Sequence, residues 1–442
     1  MHRSGSIDWC CLKRLDASSV FARLLDARRG GSFALAPSEP RAEAERGYLD
    51  GTLVLCTTWR TATGRARVLD FLAVCRDAPG RALRQLVRIV EGLDGEVELE
   101  AQVVPRFDYG AATPWIHEAP DGAHYAQAGD DAVLVACDAG ADRRGDHALA
   151  ARFTVAAGQR VRLELRDVPP YAIDSADRPR PCPPHVLDAR LEETIAWWRD
   201  WARRATLPGT DRDGVLRSAL ILRALTNPLT GAIAAAATTS LPESADGRTW
   251  DYRYSWVRDS VFCARSLAAL GFEDAADAFR RFIQRSSAGH ADELREQIEG
   301  RAYDARLGAF TQCLDGLALD AALLRLSAVG FLDACDERMV RTADAIADAL
   351  DEDGLVRRYE ADDGQPGREG CFLPCSFWLV ECLAAQGRLD EARERFERAL
   401  RPRNDLGLFS EEYDVPAGEP MGNVPQALTH FSHVQAALAL ER

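Results

Sequence analysis

Two short stretches concentrate side chains that could do chemistry. Trp250-Asp-Tyr-Arg-Tyr-Ser-Trp-Val-Arg-Asp259 packs two tryptophans, two tyrosines, two arginines and two aspartates into ten residues, shortly after Thr238-Thr-Ser-Leu-Pro-Glu243. That mixture suits a sugar: aromatic faces cover the apolar C–H faces of a pyranose, while a carboxylate and a guanidinium take its hydroxyls in paired hydrogen bonds. A buried aromatic cluster with an internal salt bridge has the same composition, so the stretch alone leaves both readings open. The second stretch, Asn404-Asp-Leu-Gly-Leu-Phe-Ser-Glu411-Glu412-Tyr-Asp414, leads into Gly422-Asn-Val-Pro-Gln-Ala-Leu-Thr-His430. Adjacent carboxylates in a loop ahead of a helix can hold a water and accept its proton as it attacks. Without context, the same pair reads as a solvated acidic loop. His430 and His433 lack a cysteine or carboxylate at ligand spacing, and no metal site is read there.

The elements that must position these residues fall into two kinds. From about residue 50 to 167 the pattern has period two, as in Val97, Leu99, Ala101 and Val103 alternating with Glu98, Glu100 and Gln102, and again at Val161, Leu163 and Leu165. Half-buried strands with no long helix between them predict an antiparallel β-sandwich over residues 1–168. Residues 169–209 read as a proline-rich linker followed by a linker helix that places Leu191, Ile195 and Trp198 on one face and runs to about Ala205. Residues 210–442 read as helical. There Leu267-Ala-Ala-Leu-Gly271-Phe, Leu326-Ser-Ala-Val-Gly330-Phe and Leu383-Ala-Ala-Gln-Gly387-Arg each join two amphipathic helices through a glycine. Glycine suits the left-handed residue that ends a helix, and this spacing accommodates two helices per repeat. The expected layout is a stack or ring of α-hairpins with its function on the irregular segments between them.

Composition narrows the class of function. Fifty-four basic against sixty-nine acidic residues give a net charge of −15, which disfavours nucleic acid and anionic membrane surfaces as partners. Lys13 is the sole lysine, which removes lysine Schiff-base and Walker-type chemistry. No apolar run reaches the roughly 20 residues of a membrane span, and Met1 to Cys10 lacks the apolar core of a signal peptide, so a cytoplasmic location is expected. The twelve cysteines follow no small-scaffold pattern and read as reduced thiols.

Three segments carry a family resemblance. Trp250 to Asp259, Arg368-Glu-Gly-Cys-Phe-Leu-Pro-Cys-Ser-Phe-Trp378 and Leu408-Phe-Ser-Glu-Glu-Tyr-Asp414 resemble motifs of glycoside hydrolase family 15, the glucoamylases and bacterial trehalases. Gly5-Ser-Ile-Asp-Trp9, Ser19-Val-Phe-Ala-Arg-Leu-Leu25 and Pro105-Arg-Phe-Asp-Tyr109 resemble the β-sandwich domain of the trehalase-like members. The resemblance implies an (α/α)6 barrel that cleaves α-glucosidic bonds with inversion and without a cofactor. It assigns Arg258 and Asp259 to the hydroxyls of the terminal glucose, Tyr252 and Trp256 to the aromatic lining, Glu411 to the general base, and Glu369 to a carboxylate near the same subsite. The implied substrate is trehalose, with maltose and α-glucans as alternatives.

One part of that machinery has no match. An inverting glycosidase needs a second carboxyl group about 6.5–9.5 Å from the base to protonate the leaving oxygen. The family carries it in a Gly-Ile-Trp-Glu-like segment, yet Trp378 is the one tryptophan after Trp256. The chain passes from the helix ending near Arg285 through Ser286-Ser-Ala-Gly-His290 into a later helix, so the barrel reads as incomplete, shortened near residues 286–291. Glu243, Glu293 and Glu369 are the candidates for a substitute acid. The apolar faces left by lost helices predict self-association. Two alternatives follow: a catalytically inactive remnant that binds glucose or an α-glucoside, and a chain with no independent fold.

Overall fold

The computed structural model describes residues 1–74, 83–228, 230–243, 247, 249–284, 298–360 and 369–441, and divides the chain into two units, residues 1–203 and 204–442. Among the described residues no helix is long and apolar enough to cross a membrane, and no disulfide forms.

The first unit is built around one strand. β1 (Ser32–Pro37), β2 (Glu43–Tyr48), β3 (Leu55–Arg60) and β4 (Gly64–Leu72) precede the 20-residue β5 (Gln85–Val104). β6 (Trp115–Glu118), β7 (His124–Ala128), β8 (Asp131–Cys137), β9 (Asp142–Arg143), β10 (Leu149–Ala156) and β11 (Arg160–Asp167) follow it. The first half of β5 pairs antiparallel with β4 and β11, in a layer ordered β2-β3-β4-β5-β11-β8-β7-β6. Its second half pairs with β1 and β10. The alternation read from the sequence is the inward face here: Val97, Leu99, Ala101 and Val103 share a core with Phe33, Trp59, Val68, Phe153 and Leu165.

Arg88, on β5, is fully buried. Its Nε donates to Asp70 Oδ1 at 2.6 Å, and its Nη atoms donate to the carbonyls of Phe33 and Gly5 at 2.8 and 2.7 Å, which ties the N-terminal segment to both layers. The helix α1 (Pro184–Ala202) is shorter than expected, ending at Ala202. It lays Leu187 and Leu191 on the outer face of the sheet against Val54, Phe71, Val87 and Ile89. It is therefore part of the sandwich unit.

The second unit contains α2 (Arg212–Leu225), α3 (Val257–Ala269), α4 (Glu273–Gln284), the short α5 (Arg325–Ala328), α6 (Glu337–Leu350), α7 (Leu373–Ala385), α8 (Leu389–Ala399) and α9 (Ala427–Ala439). The three repeated glycines end α3, α5 and α7 in the same way. Gly271, Gly330 and Gly387 have φ of +89°, +74° and +76°. The residue after each donates its N–H to a carbonyl five residues back: Phe272 to Leu267, Phe331 to Leu326 and Arg388 to Leu383.

α9 is buried along nearly its whole length and is stitched to its neighbours by polar contacts. Trp378 Nε1 on α7 donates to Ser432 Oγ at 2.8 Å, and Gln435 Nε2 donates to Ser266 Oγ of α3 at 2.9 Å.

The described helices of this shortened domain close on one another at Arg325. Its guanidinium ion-pairs with Glu381 and lies 4.6 Å from the Phe262 ring centroid, 5.6 Å from Phe431 and 5.7 Å from Trp378, so α3, α5, α7 and α9 meet there. Its Nε and Nη2 have no hydrogen-bond acceptor and face these rings instead. The junction at 286–291 and the candidate Glu293 lie outside the described residues. Removing one member of a buried pair leaves the other charge stranded. Arg325→Ala is therefore expected to cost about 3–5 kcal/mol in denaturant unfolding of the intact chain, and Arg325→Met with Glu381→Leu markedly less.

Candidate functional site

Three strips of backbone bring the two chemical stretches together. Ala236 and Ala235 donate to the carbonyls of Tyr252 and Tyr254 at 2.8 and 3.0 Å, so the strand-like segment before Glu243 runs beside the aromatic stretch. On its other side Ala427 donates to Ala235, Gly422 donates to Pro242, and Thr238 Oγ1 donates to Asn423 Oδ1 at 3.0 Å. The third strip is a small sheet. β12 (Cys371–Phe372) pairs with β13 (Glu412–Asp414), which pairs with β14 (Glu419–Met421). Glu411 and Glu412 were read as a loop pair, but Glu412 opens a strand, and the Glu411 carbonyl accepts from Leu373 N at 3.0 Å. That pairing also delivers Glu369: Gly370 N donates to Glu412 Oε2 at 3.0 Å.

The result is a buried carboxyl cluster under an aromatic rim. Glu243, Glu411 and Glu412 are almost fully buried, while Trp250, Tyr254 and Trp256 stay 43%, 58% and 41% exposed. Trp250 Nε1 donates to Glu243 Oε2 at 3.1 Å, and the Tyr252 and Trp256 rings tilt together with centroids 5.7 Å apart. Arg253 and Asp251 do form the salt bridge expected of a structural cluster. The exposed tryptophans and tyrosine beside them are what a sugar-stacking rim requires.

Glu411, Glu243 and the Tyr252 hydroxyl lie close enough to perturb one another's ionisation. Glu243 Oε1 and Glu411 Oε2 have no N–H or hydroxyl donor. Burial, then the charges of Glu243 and Glu412, push the Glu411 carboxyl well above its ordinary range. Burial also raises Glu243, with Glu369 adding to the rise, and burial beside Glu411 and Glu243 raises the Tyr252 phenol.

Glycine is required at 422. With φ of +73°, a Cβ there would stand 2.9 Å from Glu411 Oε2 and 3.0 Å from Glu411 Cβ.

Of the residues read from the sequence, the structure brings Glu411, Tyr252, Trp256 and Glu369 to one site. Asp259 is buried in the first turn of α3, one turn before Cys263, whose thiol it helps to raise. The side chain of Arg258 lies outside the described residues. Glu243, Glu369 and Glu412 each present a carboxylate oxygen within 4.8 Å of the other two, an oxygen-only donor set of the kind hard divalent cations take. Glu243 lies close enough to Glu411 to perturb its ionisation, and Glu369 gathers with Glu243 and Glu412, so both candidate acids sit in the same cluster as Glu411.

Sequence reasoning missed the partnership of Glu243 with Glu411 and the role of Gly422. The available signal was Pro-Glu in one stretch and Gly-Asn before Val-Pro in the other, and nothing in either announces that the two meet. His430 and His433 contact protein groups: Ser218 Oγ lies 2.8 Å from His430 Nδ1 and 3.0 Å from His433 Nδ1.

Two outcomes are expected. A carboxyl whose folded pKa is raised ionises in the unfolded chain above its ordinary value of 4.5 but not in the folded one, so it draws stability away as pH rises past that value. Glu411→Gln should therefore raise stability by about 1–3 kcal/mol near pH 7 to 8 and lose that advantage below pH 4.5 in thermal melts across pH. Gly422→Ala should displace the Glu411 carboxyl and lower turnover by about 100-fold in steady-state assays while the protein stays folded.

Comparison with known proteins accords with this geometry. The profile of the glycosyl hydrolases family 15 matches residues 209–299 and 289–438, and that of the trehalase-like N-terminal domain matches residues 1–168. A protein named trehalase from Mycolicibacterium smegmatis is 29% identical over 605 aligned positions, taking in 99% of this chain and 88% of its own length. One from Thermoplasma acidophilum, also named trehalase, is 26% identical over 579 positions, with 99% and 97% covered. Among solved structures, a bacterial glucoamylase complexed with acarbose superposes with a TM-score of 0.74 at 13% identity, over 99% of this chain and 91% of that one. Since 99% of 442 residues fill 605 positions, about 167 positions of the Mycolicibacterium protein face no residue here. The two matched pieces of the family profile meet at 289–299, beside the junction read from the sequence. The chain belongs to the glycosyl hydrolases family 15, with a trehalase-like N-terminal domain ahead of a helical domain that is shortened in its middle.

Proposed function

We propose that this protein acts on α-glucosides, trehalose first, as an inverting hydrolase with Glu411 as general base and Tyr252, Trp256, Arg258, Asp259 and Glu369 forming the subsite for the terminal glucose. The observation that carries the reading is the buried Glu411 carboxyl, raised by burial and by neighbouring Glu243 and Glu412, beside exposed aromatic side chains. In its ionised form, made a stronger base by the raised pKa, that carboxyl takes the proton of a water attacking the anomeric carbon, while Trp250, Tyr254 and Trp256 cover the sugar's C–H faces. Trehalose is favoured by the trehalase-like N-terminal domain and by relatives that carry that name. The same proposal includes a domain division at 1–168 and 210–442, joined by the linker and linker helix of 169–209 whose helix packs on the first domain, a cytoplasmic location, and self-association through apolar side chains such as Leu317 and Val329, which are 64% and 57% exposed.

A second reading has its own support. Glu243, Glu369 and Glu412 crowd on the side of the base, and about 167 positions of a relative are missing here, so the base half of the machinery stands without an opposing acid among the described residues. In that reading the protein binds α-glucosides and turns over only those whose leaving group departs unprotonated.

The test compares trehalose, maltose, isomaltose and α-glucosyl fluoride with the wild type and Glu411→Gln. Release of glucose from trehalose, reduced about 10²–10⁴-fold in Glu411→Gln, supports the full hydrolase. Fluoride release without disaccharide cleavage supports the second reading. Glucose binding with neither reaction leaves the inactive remnant. Size-exclusion chromatography should show a dimer or larger species, and a monodisperse monomer would remove the self-association.

A further inference from the structure

The polar groups around Ser218 fix one another's hydrogens. The Phe409 N–H donates to His430 Nε2 at 3.2 Å, so the neutral His430 ring carries its hydrogen on Nδ1. Nδ1–H then donates to Ser218 Oγ at 2.8 Å, and the Ser218 hydroxyl turns to His433 Nδ1 at 3.0 Å. His433 carries its hydrogen on Nε2 and donates to Asp211 Oδ2 at 3.0 Å, where Arg403 Nη1 also donates at 2.7 Å. Four bonds point the same way from the Phe409 amide to a partly exposed carboxylate. Ser218 and both histidines are fully buried, with the rings of Phe377, Phe396 and Phe409 packed against His433.

The peptide at the start of this chain leads into the carboxyl cluster. The Phe409 carbonyl accepts from Gln426 N at 3.1 Å, the Ser410 carbonyl accepts from Thr429 Oγ1 at 3.0 Å, and Ser410 Oγ donates to the Glu412 carbonyl at 2.7 Å. Of these, only the His430 bond secures the Phe409 N–H, two residues before Glu411.

We propose that His430, oriented by Ser218, His433 and Asp211, is a positioning residue that holds the Phe409 peptide and so sets the place of Glu411. It rests on the reading of Glu411 as the base. A corollary follows from the one-way order of the hydrogens. When His433 takes a proton, its Nδ1 becomes a donor, so the Ser218 hydroxyl loses its acceptor and receives hydrogens from both imidazoles, and the one-way order ends. Asp211 and Arg403 face His433, while Arg217 and His433 act on His430. Burial lowers both histidines below the ordinary 6.5, with Asp211 opposing this at His433, so the arrangement is lost on acidification below the ordinary histidine range.

The test uses His430→Gln and His430→Asn in the full chain. The Gln side chain places an acceptor near the Nε2 position and keeps the Phe409 bond. The shorter Asn reaches Ser218 but leaves Phe409 unheld. With α-glucosyl fluoride, Asn is expected to lower kcat about 30- to 100-fold with KM within about twofold, and Gln to stay within about threefold of wild type. Hydrogen exchange in the peptide spanning 405–413 should rise in Asn and in Ser218→Ala but not in Gln. Asp211→Asn should move the acid limb of the wild-type profile. Equal kinetics and equal exchange in Asn and Gln overturn the proposal. If the wild type releases no fluoride, the reading of Glu411 as base falls, and the exchange contrast between Asn and Gln still decides whether His430 holds the peptide.

Discussion

Burying the Glu411 carboxyl against the Glu243 carboxyl is the constraint around which the helical unit is arranged. Two carboxylates close together in a dry site repel each other, and each loses its hydration; both are pushed toward their neutral forms, which makes the proximity tolerable. Such an arrangement does not hold itself together. It is kept by backbone strips that belong to other parts of the sequence: the segment before Glu243 is pinned between the aromatic stretch and the turn at Gly422, and Glu411 is pinned by Leu373 at the start of α7. Stability spent at the cluster is recovered in the apolar and polar contacts of α9, whose buried length reaches α2, α3 and α7.

Much of this was legible in the sequence, for identifiable reasons. The alternation at Val97 to Val103 states which side of a strand faces inward, because side chains on a strand alternate with period two. The recurrent Leu-x-x-x-Gly endings state where helices stop, because the left-handed residue that closes a helix is costly for anything but glycine. The motifs around Tyr252, Trp256, Glu369 and Glu411 keep their order and spacing, which is what drew these residues out of the sequence.

What stayed hidden depends on contacts between residues far apart in the chain. Glu243 meets Glu411, 168 positions later, because Thr238 finds Asn423, Pro242 finds Gly422 and Ala235 finds Ala427. Ser218 looks like any helical serine until two histidines three residues apart close on it. Arg325 reads as an exposed helix arginine, yet it sits at the meeting point of four helices, since the aromatic faces that receive it come from three other segments. Local patterns encode elements and their faces; they do not encode which faces will meet.

The long strand β5 of the sandwich has a consequence for how the protein is made. Its two halves take partners from both sides in the chain, β1 and β4 that precede it and β10 and β11 that follow, so one layer is incomplete until residue 156 and the other until residue 167 has been synthesised. Roughly the first third of a nascent chain must therefore wait with unpaired strand edges exposed, and the pairings that close it are long-range and slow to form. Arg88, whose partners Gly5, Phe33 and Asp70 have all been made before it, gives that waiting chain one early point of attachment. During synthesis, this guanidinium and the pairings of β5 with β1 and β4 are what the precursor can form before β11 arrives.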